Sequence, residues 1–199
     1  LHSIRRLQRQ MCIRDSLNAD LAIIMLDASS FLLDQDRKLI EKARDNGRAI
    51  IIVVNKTDLL DKDSKSEIES ILKTDPMFVG LPSCFISAKN REGLKHLFDI
   101  IYRVLENVKK NISTNKLNKI LRKAMDAKSI PFKGKFRPKI RFVHQGGKNP
   151  HVITVHGNSL EKIEGSYKRF MVNFYQKKLE LLGITIKLKF ITSKNPYKS

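Results

Sequence analysis

Apolar and polar positions along this chain follow two different rhythms. In the first half, short apolar runs are separated by stretches of helical period. Leu21 to Asp27 reads as a buried strand, and Leu32 to Asp45 shows helical periodicity that stops at Asn46-Gly47, a C-terminal cap signal. The run Ala49-Ile50-Ile51-Ile52-Val53-Val54 predicts a second buried strand over Ile50 to Val54. A polar helix follows from Lys62 to Lys73, and Ser83-Cys84-Phe85-Ile86 predicts a third strand over Cys84 to Ile86. Arg91 to Val108 is amphipathic, with Leu94, Leu97, Phe98, Ile101, Val104 and Leu105 along one side. Buried strands alternating with helices imply an α/β fold with a parallel sheet, whose ligand loops gather at the carboxyl ends of the strands.

The second half reads as α+β. Leu117 to Ala127 is helical, with Leu117, Ile120, Leu121 and Met125 as its apolar stripe. Lys139 to Val143 and Val152 to Val155 are strands joined by a loop containing Gly146-Gly147 and Asn149-Pro150. A long helix is predicted from about Glu161 to Leu182, ending at Gly183. Beyond it Ile184, Ile186, Leu188 and Phe190 alternate with Thr185, Lys187 and Lys189, the pattern of a half-buried strand with a basic outer face.

Charge divides the chain at the same place. Residues 1–110 carry 19 Lys and Arg against 16 Asp and Glu, whereas residues 111–199 carry 20 against 4. The break falls at Lys109-Lys110-Asn111-Ile112-Ser113-Thr114-Asn115, a polar stretch suited to a connector. Two domains, 1–110 and 111–199, are therefore expected, the second with the electrostatic footprint of an RNA partner. Within it Phe132, Phe136 and Phe142 interleave with Lys133, Lys135, Arg137, Lys139 and Arg141, the best candidate segment for RNA contact. Cys12 and Cys84 make neither a disulfide framework nor a metal spacing, which fits a reducing, cytoplasmic location. No apolar stretch reaches the roughly 18 residues of a membrane span, and no membrane partner is expected.

Chemistry enters where the second strand opens into a loop, at Asn55-Lys56-Thr57-Asp58. An ionised Asp58 can accept two hydrogen bonds, from the ring N1–H and the exocyclic amino group of guanine. Adenine presents an acceptor at N1 and is rejected, because a site built for hydrogen bonds is left unpaired by the wrong base. Asn55 can bond the Hoogsteen edge and hold the loop, and Lys56 can lay its methylene stem across one face of the ring. The third strand ends in Ser87-Ala88-Lys89, a turn that in guanine-nucleotide-binding domains offers a backbone N–H to the guanine O6 while its lysine flanks the base. Asn55, Lys56, Asp58, Ser87, Ala88 and Lys89 are thus the expected binders of GTP.

The phosphate-binding half of such a site is missing. The two Gly-Lys pairs, Gly134-Lys135 and Gly147-Lys148, lack a glycine five positions before their own (Ser129 and Phe142 stand there), and neither is followed by Ser or Thr. No D-x-x-G that would hold Mg²⁺ is present. The chain is expected to be the C-terminal part of a longer nucleotide-hydrolysing protein. Its residues would select the nucleotide and none would be catalytic, so the chain alone should show no measurable GTPase activity and should expose apolar sheet edges that favour aggregation.

Other candidates rank lower. His144, His151 and His156 lack a Cys or acid cluster at ligand spacing, and His144 and His156 are expected at strand ends, bonding backbone groups. Asp34 and Asp36 at a helix start read as cap and dipole partners. Tyr167, Phe170, Phe174 and Tyr175 recur at helical spacing and read as core.

Residues 17–199 resemble the C-terminal portion of the Der (EngA) family, GTPases with two tandem GTP-binding domains followed by a KH-like domain. The resemblance is carried by Ala19-Asp20, Leu26-Asp27-Ala28, Asp34-Gln35-Asp36, the two motifs above, His144-Gln145-Gly146-Gly147-Lys148-Asn149-Pro150, His156-Gly157-Asn158, Ser166-Tyr167-Lys168-Arg169-Phe170 and Asn195-Pro196-Tyr197. Gln8 to Ser16 departs from the family's pattern. The resemblance implies a partial P-loop GTPase domain followed by a KH-like domain. It further implies GTP and Mg²⁺ in the parent, a role in assembly or stability of the large ribosomal subunit through ribosomal RNA, and packing of the KH-like domain against the first GTPase domain. A KH domain that clamps a nucleic-acid backbone uses a G-x-x-G loop, which this chain lacks. The alternatives are a GTPase of the Era family, which also ends in a KH domain, and a non-enzymatic RNA-binding protein with a vestigial nucleotide fold.

Overall fold

The structure, a computed structural model, describes residues 19–131 and 138–192. The described residues up to Val108, together with the short segment Leu181–Thr185, form one compact unit; Lys109–Glu180 and the residues from Ile186 onward form another.

The first unit is built on three parallel strands in the order β1-β2-β3, with β1 at Leu21–Asp27, β2 at Ala49–Asn55 and β3 at Ser83–Phe85. Helix α1 (Asp34–Asp45) connects the first two strands, α2 (Lys62–Thr74) the next pair, and α3 (Leu94–Lys109) follows β3. The predicted α1 stop is realised: Asn46 closes the helix and Gly47 turns away at φ +69°. Central β2 is buried on both faces from Ala49 to Val54, as a continuous β-branched run should be. Leu26, Ile50, Ile52 and Val54 pack with Ile40, Ile68, Leu72 and Phe78 into one core.

Two expectations change here. β1 is not a buried strand: only Leu26 is fully covered, while Ile23 and Met25 are 43% and 53% exposed. Among the described residues it pairs on one side only, with β2, and the face carrying Ile23 and Met25 has little packed on it. Phe98, placed on the apolar side of α3, is exposed, and the buried line of that helix runs Leu97, Ile100, Val104, Val108.

The second unit carries a mixed sheet in the order β4-β5-β6, with β4 at Lys139–Lys148 antiparallel to β5 at His151–Asn158, and β6 at Ile186–Thr192 parallel to β5. Helices α4 (Thr114–Ala127) and α5 (Gly165–Leu179) accompany it. Tyr167 and Tyr175 are fully buried, and their hydroxyls donate to the carbonyls of Lys128 and Leu117. The Asn118 amide bonds both backbone groups of Val143, so α4 takes up hydrogen bonds that the edge of β4 would otherwise leave open.

The predicted helix over Glu161 to Leu182 is shorter at both ends. Leu160–Lys162 forms a separate 3₁₀ turn whose Leu160 is buried, and Glu164 stays extended before α5 begins. At the other end Glu180 adopts a left-handed conformation and closes the helix on the Gln176 carbonyl. Leu181 and Ile184 are then buried with the first unit, where the Gly183 carbonyl accepts the Ile50 N–H at 2.9 Å. Gly183 sits at φ +72°, and a Cβ there would lie 2.9 Å from the Ile50 carbonyl oxygen. Ile184 therefore precedes β6 instead of opening it.

Candidate functional site

Parallel pairing in register brings Asp27, Asn55 and the residues after Phe85 to one end of the first sheet, because Asp27 lies beside Asn55 and Val54 beside Phe85. The Thr57 N–H reaches the Ile86 carbonyl at 3.2 Å and ties the two following loops together. The two motifs, far apart in sequence, meet here.

Ser87 is the hinge of the arrangement. Its buried hydroxyl donates to Asp58 Oδ1 at 2.6 Å and accepts the Asn90 N–H at 3.2 Å. This hydroxyl bond, aided by the charges of Lys89 and Lys56, holds the Asp58 carboxyl below its ordinary range. Asp58 is therefore an ionised, acceptor-only group at neutral pH, and it stands exposed at the first turn after the loop. Asn55 Oδ1 accepts the Ala88 N–H at 3.0 Å, and its Nδ2 lies 3.5 Å from the sulfur of Met25. The Ala88 N–H is thus used inside the site, to lock the two loops together. Ala88 and Lys89 themselves are exposed.

Lys56 is left-handed at φ 66° and ψ 36°. Its ammonium group pairs with Asp27 Oδ2 at 2.5 Å. Asp27 is itself held by the N–H and hydroxyl of Ser29, at 3.0 and 2.7 Å. The Lys56 hydrogen bond first, and the two from Ser29 after it, bring the Asp27 carboxyl down to about 2. The far side of the site is closed by a reciprocal backbone pair between Ser87 and Glu92, 3.1 and 3.0 Å long. Gly93 follows at φ +74°, where a Cβ would stand 2.3 Å from the Phe85 carbonyl oxygen. Sequence reasoning named neither Asp27 nor Gly93 as part of the site. The glycine just before a helix was the one visible signal, and the Asp27–Lys56 pair has none without the strand register.

The remaining candidates separate. His151 is buried and shares a 3.3 Å contact with the Gln145 amide, whose Oε1 accepts the Ile112 N–H. His144 and His156 are not at strand ends bonding backbone groups. Both strands run longer than predicted, and the two rings stack face to face within the sheet, 5.0 Å apart. Among the described residues no group of three His, Cys, Asp or Glu is placed to hold a metal ion. Asp36 accepts the Leu33 N–H at 3.0 Å, the cap role expected of it. Of the basic segment, Phe132, Lys133, Lys135, Phe136 and Arg137 lie outside the described residues, as do Gly134, Gln8 to Ser16 with Cys12, and Asn195-Pro196-Tyr197; Lys139, Arg141 and Phe142 are exposed. No helix among the described residues is long and apolar enough to cross a membrane.

Comparison with known proteins gives two family matches. Residues 111–190 match the KH-domain-like C-terminal domain of EngA bacterial GTPase enzymes, and residues 10–107 match the elongation factor Tu GTP binding domain. GTPase Der of Acidovorax ebreus (strain TPSY) is 36% identical over 181 residues, covering 90% of this chain and 40% of the relative. GTPase Der of Thioalkalivibrio sulfidiphilus (strain HL-EbGR7) is 38% identical over 180 residues, covering 90% and 39%. The chain thus spans about 40% of the length of the curated relatives it matches. Among solved structures, a variant of Aquifex aeolicus Era bound to GDP and AlF₄⁻ is similar at 19% identity and a TM-score of 0.40, covering 94% of this chain and 70% of that one.

Proposed function

The chain belongs to the Der (EngA) family of bacterial GTPases, and from that premise we propose that its first unit reads the guanine of GTP in a protein that hydrolyses it. Asn55, Lys56, Asp58, Ser87, Ala88 and Lys89 form the reading site, Ser87 and Ala88 by holding Asp58 and Asn55 in place. The observation that carries this is the closure of both loops onto each other: the Ser87 hydroxyl on Asp58 at 2.6 Å and the Ala88 N–H on Asn55 at 3.0 Å. Such a site is assembled before the base arrives, so little ordering remains to oppose binding.

The residues fit a guanine. An ionised, exposed carboxylate meets the two N–H donors of the Watson–Crick edge, and the serine bond to Oδ1 fixes its plane. Asn55, its oxygen occupied by Ala88 and one amide N–H near the Met25 sulfur, has its other N–H free to donate to the Hoogsteen edge. Asp27 restrains the Lys56 ammonium and with it the methylene stem available to cover the ring. None of these groups touches a phosphate, and none is assigned a chemical step. The phosphates and Mg²⁺ fall to residues beyond this chain, since it has no G-x-x-x-x-G-K-[ST] and no fitting metal cluster among the described residues. Bound Mg²⁺ supplies neutralisation of developing phosphoryl charge.

The division at residue 110 separates this GTPase portion from a KH-like domain at 111–199, whose net basic charge suits ribosomal RNA. We place the intact protein in the cytoplasm, acting on the large ribosomal subunit, with the first GTPase domain of the same protein as a further partner of the KH-like domain.

Asp58→Asn in the intact protein tests the reading. The substitution replaces an acceptor pair by one acceptor and one donor, which complements xanthine. The preference for GTP over XTP, measured by competition against labelled nucleotide, should fall on the order of 100-fold or more. An unchanged preference would remove Asp58 from the site.

A further inference from the structure

Among the described residues, the helices leave one face of the second unit's sheet uncovered. Val143, Ile153, Val155 and Ile186 point to the buried side. On the opposite side Phe142 of β4 and His156 of β5 are register partners, and their rings stack with centroids 4.6 Å apart and planes 9° apart. His144, two residues along β4, stacks on the same His156 ring at 5.0 Å and 22°. Phe142 and His144 stand side by side at 6.4 Å, so two rings of the edge strand lean on one ring of the centre strand. Phe142 is 46% exposed. The register carries the same face onto β6, where Ile191 lies beside His156 and Lys189 beside Thr154; Ile191 and Lys189 are exposed, while Thr154 between the strands is buried.

No Asp or Glu occurs in β4, β5 or β6. The four acids of residues 111–199 are Asp126, Glu161, Glu164 and Glu180, all on or beside helices. A face of flat rings bordered by lysine, on strands that themselves carry no Asp or Glu, offers π surface to a base; the one acid at the sheet, Glu161, is engaged by the Thr192 hydroxyl at the end of β6 at 2.6 Å. We propose that this outer sheet face is a stacking platform for the bases of single-stranded RNA, with Phe142 as its principal contact and Lys189 meeting the phosphate backbone. The proposal rests on the RNA-associated reading above and deepens it, by placing the contact on the open sheet face. Stacking on an aromatic ring tolerates any base sequence, whereas the lysine contributes a salt-dependent term.

The test uses the intact protein and fluorescein-labelled single-stranded 12-mers of oligoadenylate and oligouridylate, with binding read by fluorescence anisotropy across a salt series. Phe142→Leu keeps apolar bulk and removes the ring, and Phe142→Tyr keeps the ring. We expect Phe142→Leu to weaken oligoadenylate binding about 5- to 100-fold and oligouridylate less, with Phe142→Tyr near the parent. Lys189→Gln should instead flatten the dependence of log Kd on log salt by about 0.7. Guanine-nucleotide affinity, measured on the same samples, should stay constant in every variant; a failure of the parent to bind GTP counts against the guanine site and leaves this comparison intact. The proposal is overturned if the parent does not bind either oligonucleotide, or if Phe142→Leu binds both within about twofold of the parent. It is equally overturned if Phe142→Leu alters the sedimentation of the protein while RNA binding stays unchanged, which assigns the face to a protein partner.

Discussion

The two three-stranded sheets differ in what they do with their faces. β2 is apolar on both sides and buried on both, so its side chains between Ala49 and Val54 serve only cohesion. Chemistry in that sheet is confined to where the strands stop, at Asp27, Asn55 and Ser87. The second sheet covers one face and opens the other, and its open face carries Phe142, His144, His156 and Lys189 along the strands themselves. The lesson is positional: a strand buried on both faces can work only at its ends, and a half-covered sheet can work along its length.

Substitutions can break or sharpen that contrast, and the largest effect belongs to the buried strand. Ile52→Ala, at a side chain with no solvent exposure, should cost about 3–5 kcal/mol in the intact protein, read as a lower midpoint in urea unfolding. Gly93→Ala adds a Cβ 2.3 Å from the Phe85 carbonyl oxygen at a left-handed φ, so about 2–4 kcal/mol is expected, with weakened guanine binding as the Ser87 turn is pushed away. A loss under about 0.5 kcal/mol would show that the turn relaxes freely and does not brace the site.

Asp27→Asn is a smaller perturbation with a pH signature. Asp27 is held at about 2, below its unfolded value near 4, by the Lys56 and Ser29 hydrogen bonds. Its contribution is therefore present above pH ~4 and is lost as the pH falls from there through 2. The Asn variant should take up about one proton fewer on acid unfolding across that window, and its Kd for GDP should rise roughly 2- to 5-fold at neutral pH. An acid profile superimposable on the parent's would remove the restraint on Lys56. The smallest effect is expected at Ile191→Ala on the open face, 37% exposed, where the loss should stay within about 0.5 kcal/mol by the same urea measurement. A loss comparable to that of Ile52→Ala would mean that the face is covered after all.

Much of the candidate site was legible in the residue order because both of its motifs are local. An apolar β-branched run followed by Asn55-Lys56-Thr57-Asp58 places its own loop, and Ser87-Ala88-Lys89 does the same after a shorter strand. Neighbouring residues along one strand must arrive together, whatever the rest of the chain does. Helix α1 and its Asn46-Gly47 stop were readable for the same reason. Helix α5 was not, since Glu161 to Leu182 keeps helical period while the burial of Leu160 at one end and of Leu181 and Ile184 at the other draws the chain out of the helix.

What the sequence determined by itself is the order of strands and helices, the change in charge near residue 110, and the two motifs whose loops the fold brings together. Only tertiary structure decided who meets whom across strands. The parallel register sets Asp27 beside Asn55, and so within reach of Lys56. The antiparallel register, irregular between Ile140 and Phe142, sets Phe142 over His156. The physical reason is that side-chain direction in a strand has a period of two, so a slip of one residue sends a ring or a carboxylate to the opposite face. Local pattern does not carry that choice, which packing makes for the whole sheet at once.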